Sequence, residues 1–243
     1  MKSQMETISI QYCFKYGDNC LDVYDLQLDA ESLELKSNTP NILPPWTKLD
    51  FNQCPNCTLE IHNHPNCPFA ANLVNIVNRF DSLISHNEIQ VEVTTEERKV
   101  SQETTVQRAV SSLLGLVCAT SGCPHAAFFK PMARFHLPLA NTKETVYRAA
   151  SMYLLAQYFL NKEGKTADLE LKGLKDIYHN IQLVNFSMAE RLRIASKTDS
   201  VLNAIVELDI YAQTLSFFFE DSVEELSSLF NSYLKKGDGT PNP

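Results

Sequence analysis

At 243 residues, with 44 % hydrophobic and 21 % charged residues, the chain has ordinary globular composition, enough for one large domain or two small ones whose core needs no disulfides. A formal net charge of −8 and a pI near 5.3 argue against a nucleic-acid partner, because phosphate-backbone affinity depends on clustered Lys and Arg. The opening MKSQMETISI has no apolar signal core, and the greasiest run, SMYLLAQYFL, is far below the ~20 residues that span a bilayer, so the expectation is a soluble, cytoplasmic protein with no membrane partner.

In chain order, Ile8, Ile10, Tyr12, Phe14 and Tyr16 alternate with polar residues, the period-two pattern of a strand with one buried face. Gly17-Asp18-Asn19 is turn chemistry, and Tyr24, Leu26 and Leu28 resume the alternation, which predicts an antiparallel hairpin. LELK after DAES is a candidate third strand, and Ile89, Val91 and Val93 complete a small sheet. Between them, Phe69, Leu73, Ile76, Val77, Phe80, Leu83 and Ile84 keep helical spacing and predict a helix from Pro68 to about Ser85 that packs on the sheet.

From about residue 102 the pattern reads as helical throughout. Val106, Val110, Leu113, Leu114 and Val117 form one stripe, with Gly122 as its stop signal. NTKETVYRAASMYLLAQYFL offers Asn141 or Thr142 as a cap and is apolar on most faces, which predicts a helix buried in the middle of a bundle. Amphipathic helices are expected from about 168 to 196 and from 199 to 219. A last helix, opened by Asp221 with Glu224 three residues on, should run to Lys236. The expected architecture is α+β: a small antiparallel sheet with one packed helix in residues 1–100, an all-helical bundle in 101–236 and a loose tail over 237–243.

The chemistry concentrates in the loop FNQCPNCTLEIHNHPNCPFA. Cys54 and Cys57 have two residues between them and Cys67 follows after nine more, spacing by which a chain turns back on a tetrahedral ion at ~2.3 Å per sulfur. The fourth ligand can come from a second turn, SGCPHAAFF, which supplies Cys123 and, two residues on, His125 as a substitute ligand. Cys54, Cys67 and Cys123 each precede a proline. Proline favours the first position of a helix, which would put Cys67 at the cap of the helix from Pro68 and Cys123 at the cap of a short helix from Pro124, where a thiolate is stabilised. Zinc is the expected metal, and iron suits four thiolates equally. His62 and His64 are alternative donors that loop polarity explains equally well.

Other motifs carry less. CPNC does not open a long helix in a βαβ unit, as a redox dithiol should. GKT at Gly164 to Thr166 lacks the glycine and the strand that a phosphate loop requires, since Phe159 stands five residues before Gly164. Met132, Arg134 and His136 could place polar groups near the second cysteine turn, although structural roles are the expectation. Arg191, Arg193, Glu207 and Asp209 read as solvated or interhelical pairs.

The segments QCPNC, CPFAANL, SSLLGLVCATSGCPHAAFFKPMARFHLPLA and ETVYRAASMYLLAQYF resemble a family of uncharacterised bacterial proteins known as a domain of unknown function. The matching motifs are Cys54-Pro55-Asn56-Cys57, Cys67-Pro68 and Ser121-Gly122-Cys123-Pro124, and the resemblance covers nearly the whole chain. It implies a cytosolic bacterial protein and assigns no activity. The residues themselves support a zinc-stabilised regulatory or adaptor protein with a closed, non-catalytic site. The alternative is a metal- or thiol-dependent enzyme with Cys123 as nucleophile or open-site ligand and His125 as base. Leu229, Phe230, Tyr233 and Leu234 share a helix face and Phe217 to Phe219 cannot all turn inward, which marks the C-terminal helices as a candidate surface for self-association or a protein partner.

Overall fold

The computed structural model describes residues 7–16, 19–36, 39–80, 83–196, 199–217 and 223–234. It is α+β, with the sheet at the N-terminal end and helices following. Strands β1 (Thr7–Tyr16), β2 (Asn19–Asp29), β3 (Glu88–Thr94) and β4 (Lys99–Thr105) form one antiparallel sheet in the order β2-β1-β3-β4. Register sets Tyr12 opposite both Tyr24 and Val93, and Phe14 opposite Val91, so the alternating apolar residues of three strands share one buried face. On the outer face Glu92 accepts from Lys15 at 2.8 Å and Lys99 at 2.6 Å, a row of opposite charges across β1, β3 and β4.

Strand β4 is an addition to the sequence reading, which takes the chain as helical from about residue 102. Its sequence, KVSQETT, has no apolar alternation because this edge strand is mostly exposed, and register with β3 is what holds it in place. The candidate strand LELK is reduced to one isolated bridge between Leu35 and Leu28.

Helix α1 (Pro68–Phe80) lies against the sheet: the Phe80 ring stacks on Tyr24 at 5.6 Å and meets Phe14 edge-on at 4.8 Å. It ends at Phe80, short of the expected Ser85. Helix α2 (Val106–Thr120) is capped by the Thr105 hydroxyl and terminates before Gly122, whose φ of 87° is a conformation glycine adopts without strain. It sits between the sheet and α6 (Ser200–Phe217), which also packs on α5 (Lys172–Ala195). The buried apolar residues of sheet and helices form one continuous core.

A short helix α3 (Lys130–Arg134) precedes α4 (Thr142–Lys162), which opens with a full capping box between Asn141 and Glu144. Here the expectation of a helix buried in mid-bundle fails. Only the stripe Val146, Ala149, Ala150, Tyr153 and Gln157 is buried, while Tyr147, Leu154, Leu155, Tyr158 and Phe159 are exposed. An all-round apolar pattern reads as burial, but α3 and α5 touch this helix only sparsely, and one stripe is all they cover.

At the C-terminal end the expected single helix from Asp221 is broken. Residues 227–230 form a 3₁₀ turn followed by one helical turn at Asn231–Leu234, and the anticipated cap at Asp221 lies outside the described residues. Leu229, Phe230, Tyr233 and Leu234 are all exposed, as a partner-facing surface requires; Phe218, Phe219 and the Phe217 side chain lie outside the described residues. No helix among the described residues is long and apolar enough to cross a membrane.

Candidate functional site

The cysteine loop hangs from a short segment buried beneath α5. After Pro44, a 3₁₀ turn at Pro45–Thr47 leads into Lys48 and Leu49, which run antiparallel to residues 65–67. The Thr47 carbonyl accepts from the Cys67 amide at 2.8 Å, and the Thr47 hydroxyl donates to the Pro44 carbonyl and lies 3.0 Å from the Asn66 side-chain oxygen. Cys67 then precedes α1, with the Ala71 amide donating to its carbonyl, as its predicted capping position requires.

Arg191 closes this segment from the other side. Its side chain is fully buried, with Nη1 donating to the carbonyls of Trp46 at 2.8 Å and Lys48 at 2.7 Å and Nη2 to that of Leu49 at 3.0 Å. The guanidinium also faces the Phe51 ring at 6.0 Å. This corrects the reading of Arg191 as a solvated or interhelical pair: charge alone does not distinguish a surface arginine from one whose planar fork satisfies buried carbonyls. Its neighbour Arg193 does pair at the surface, with Glu190.

Helix α5 supplies two further anchors at helical spacing. The Asn56 amide donates to the carbonyl and the side-chain oxygen of Asn180, at 3.1 and 2.9 Å, and Ser187 hydrogen-bonds the Cys54 thiol. Asn180, Ser187 and Arg191 therefore form one stripe gripping the loop from Trp46 to Cys57. Within it, the Cys57 amide donates to the Cys54 carbonyl at 3.0 Å, a tight turn that sets both thiols on one side.

The second cysteine turn meets the first. His125 Nε2 lies 2.6 Å from the Asn56 carbonyl, joining SGCPH to CPNC directly. No helix starts at Pro124: residues 124–126 are a turn and the 3₁₀ helix begins at Ala127, because the Cys123 carbonyl takes both the Ala126 and Ala127 amides. The four predicted cysteines share a neighbourhood in which their charges act on one another. Burial pushes the Cys54 thiol up to about 11; Ser187 opposes this, and Cys67, Cys123 and Cys57 add to it. Burial likewise raises Cys123, against the backbone amides of Ala126 and His125, with Cys67 and Cys57 contributing further. Cys118, deep in α2, joins the same group, its thiol raised by burial and then by Cys123, Cys67 and Cys54. All six described cysteines, these five and Cys13, are free of disulfides. As the side chains stand, no group of three or more His, Cys, Asp or Glu among the described residues is arranged to hold a metal ion.

His62 and His64 take no part, being exposed at the outer end of the loop, where His62 lies 3.4 Å from Glu60. His136 is displaced from the cysteine turn. Its Nε2 meets the Tyr12 hydroxyl at 2.5 Å, Tyr12 meets Ser112 at 2.9 Å, and Ser112 accepts from the Leu139 amide at 3.1 Å. This relay ties β1, α2 and the segment before α4 into one buried polar network. Burial, aided by the nearby Arg148, lowers the His136 pKa from 6.5 to about 3, so the imidazole stays neutral, and its tautomer sets which partner of the Tyr12 contact donates.

Two outcomes follow. Replacing Arg191 with Met leaves three buried carbonyls without their donor and should cost about 3 kcal/mol or more in urea unfolding, with Arg191→Lys recovering only part; a loss below about 1 kcal/mol would contradict this role. For His136, the native pKa lies below the unfolded value of 6.5, so its contribution is full above 6.5. It is lost as pH falls and the unfolded chain alone takes up the proton, by about 1.4 kcal/mol per unit. Stability measured from pH 7 down to about pH 4 should therefore fall less steeply for His136→Gln than for the native chain.

No curated protein and no solved structure matches the chain. A family model does, spanning sheet, cysteine loop and helices alike, and through that match over residues 10–231 the chain belongs to the family described as domain of unknown function DUF6901.

Proposed function

We propose that the chain is a zinc-stabilised, soluble and cytoplasmic regulatory or adaptor protein in which Cys54, Cys57, Cys67 and Cys123 form a closed, non-catalytic thiolate site. The observation that carries this is the meeting of three separate cysteine-bearing turns in one electrostatic neighbourhood. Burial, and after it the neighbouring thiols, disfavour the thiolates of Cys54 and Cys123, and a divalent cation reverses that sign. The amides of Ala126 and His125 already favour the thiolate of Cys123. Coordination requires the four sulfurs to turn inward onto a common centre, and iron is the other metal that four thiolates suit.

His125 fits this reading as a positioning residue, its Nε2 being engaged by the Asn56 carbonyl. The same contact, with the raised Cys123 pKa, weighs against the enzyme alternative in which Cys123 is a nucleophile and His125 its base. Metal analysis of the freshly purified chain should find about one zinc per chain, lost in Cys54→Ser and kept in Cys13→Ser. Because the apolar core is continuous without the loop, chelation should leave helical circular dichroism intact and open new protease cuts between residues 50 and 70. Absence of zinc and iron, or complete unfolding on chelation, would sink the proposal.

The adaptor role assigns the exposed Leu229, Phe230, Tyr233 and Leu234 to a second copy of the chain or a protein partner. Sedimentation should show an assembly for the full chain and a monomer once residues 220–243 are removed. A full chain that sediments as a monomer and recovers no partner would remove this assignment.

A further inference from the structure

On the far side of α5 from Asn180, Ser187 and Arg191 lies a second feature, a partly open cavity of about 200 Å³ walled by α2, α4, α5, α6 and the segment from Phe129 to Ala140. A void of this order accommodates one small organic molecule, larger than benzene and smaller than a typical drug. Most of its wall is apolar, with Leu116, Ile181 and Leu208 among the lining residues.

Its charged groups do not balance. Arg108 and Glu207 both line the cavity, and the charge of Arg108 acts on Glu207 against the larger effect of burial. Arg148 lines it as well, and no carboxylate among the described residues lies within ion-pair distance of its guanidinium. Its Nη2 donates to the carbonyls of Met132 at 2.8 Å and Phe135 at 3.1 Å, which fixes the fork in place; Nη1 and Nε have no partner among the described residues. His136, neutral for the reason given above, does not supply the missing charge of either sign. A second unmatched group is Glu207 Oε2, which is buried without a hydrogen-bond partner. Burial raises the Glu207 pKa, and in its protonated form that carboxyl donates rather than accepts.

An apolar chamber holding one pre-oriented, unpaired guanidinium and one buried carboxyl lacking a partner has the composition of a ligand site rather than of a packing defect, which is lined by apolar groups and stays dry. We infer that this cavity binds a small organic carboxylate with an apolar body, its carboxylate on Arg148 and its body between α2, α5 and α6. The carboxylate completes the fork of Arg148 with charge-assisted hydrogen bonds, and the body displaces water from apolar walls. An amine of the same shape meets the positive charge of Arg148, on which Glu144 acts only from beyond ion-pair distance, and is repelled. A neutral alcohol gains the apolar burial and loses the ionic hydrogen bond.

The test uses the full chain in its metal-replete form and three fluorinated probes of one shape: 4-fluorobenzoate, 4-fluorobenzyl alcohol and 4-fluorobenzylamine, titrated by fluorine NMR. The expected result is saturable binding of 4-fluorobenzoate, about tenfold or more tighter than either of the others. Arg148→Gln should lower benzoate affinity by about tenfold or more and leave the alcohol nearly unchanged, a separation that general destabilisation does not produce. Since Arg148 also holds two carbonyls, Ala212→Leu, which fills the cavity from α6, provides a second arm: it should abolish binding of every probe while circular dichroism and melting temperature show a folded chain. Failure of benzoate to bind overturns the inference. Equal affinity for the three probes, or benzoate binding that survives Ala212→Leu in the folded chain, overturns it as well.

Discussion

A buried guanidinium with three backbone carbonyls organises this molecule. Removing a charged group from water is costly unless it finds acceptors, and Arg191 finds three at its two terminal nitrogens by drawing Trp46, Lys48 and Leu49 onto α5, while its Nε stays buried without a partner among the described residues. The same few peptide units hold Cys67 through the Thr47 carbonyl and lead directly into Cys54 and Cys57. A single side chain on a C-terminal helix therefore fixes where the N-terminal cysteine loop begins and where it returns to α1. Its planar fork makes the attachment directional, which a lysine ammonium would not.

Helix α5 faces two features at once. One stripe, Asn180, Ser187 and Arg191, grips the cysteine loop, while Tyr178, Ile181 and Asn185 face the cavity. The segment after α2 borders both as well, since Cys123 lies beside the loop and Phe129 lines the cavity, and the Phe129 ring packs edge-on against Tyr178 at 5.2 Å. Tyr178 and Asn180, two residues apart on α5, therefore point to opposite sides of the helix.

The outer surface carries apolar residues that the core does not use. Leu154, Leu155, Tyr158 and Phe159 are exposed on α4, whose other face packs inward, and Leu229, Phe230, Tyr233 and Leu234 are exposed at the C-terminal end, where the two short helical turns bury no residue. Clusters of this kind mark protein contacts more often than single exposed side chains do.

The sequence by itself determined the elements whose physics is local. Alternation set the buried faces of β1, β2 and β3, helical periodicity set α1 and α2, and a cap at Asn141 or Thr142 marked the start of α4. Cysteine spacing placed Cys54, Cys57 and Cys67 in one loop, because tight turns and short loops encode proximity in the chain itself, whereas the neighbourhood they share with Cys123 and Cys118 is tertiary. Strand β4 was hidden, since an exposed edge strand has no hydrophobic period and only pairing with Glu88–Thr94 defines it. The burial of Arg191, the exposure of half of α4 and the pairing of His136 with Tyr12 were equally out of reach. Each depends on which residue more than 100 positions away, or which helix, stands opposite, and that is decided by tertiary packing rather than by any neighbour in sequence.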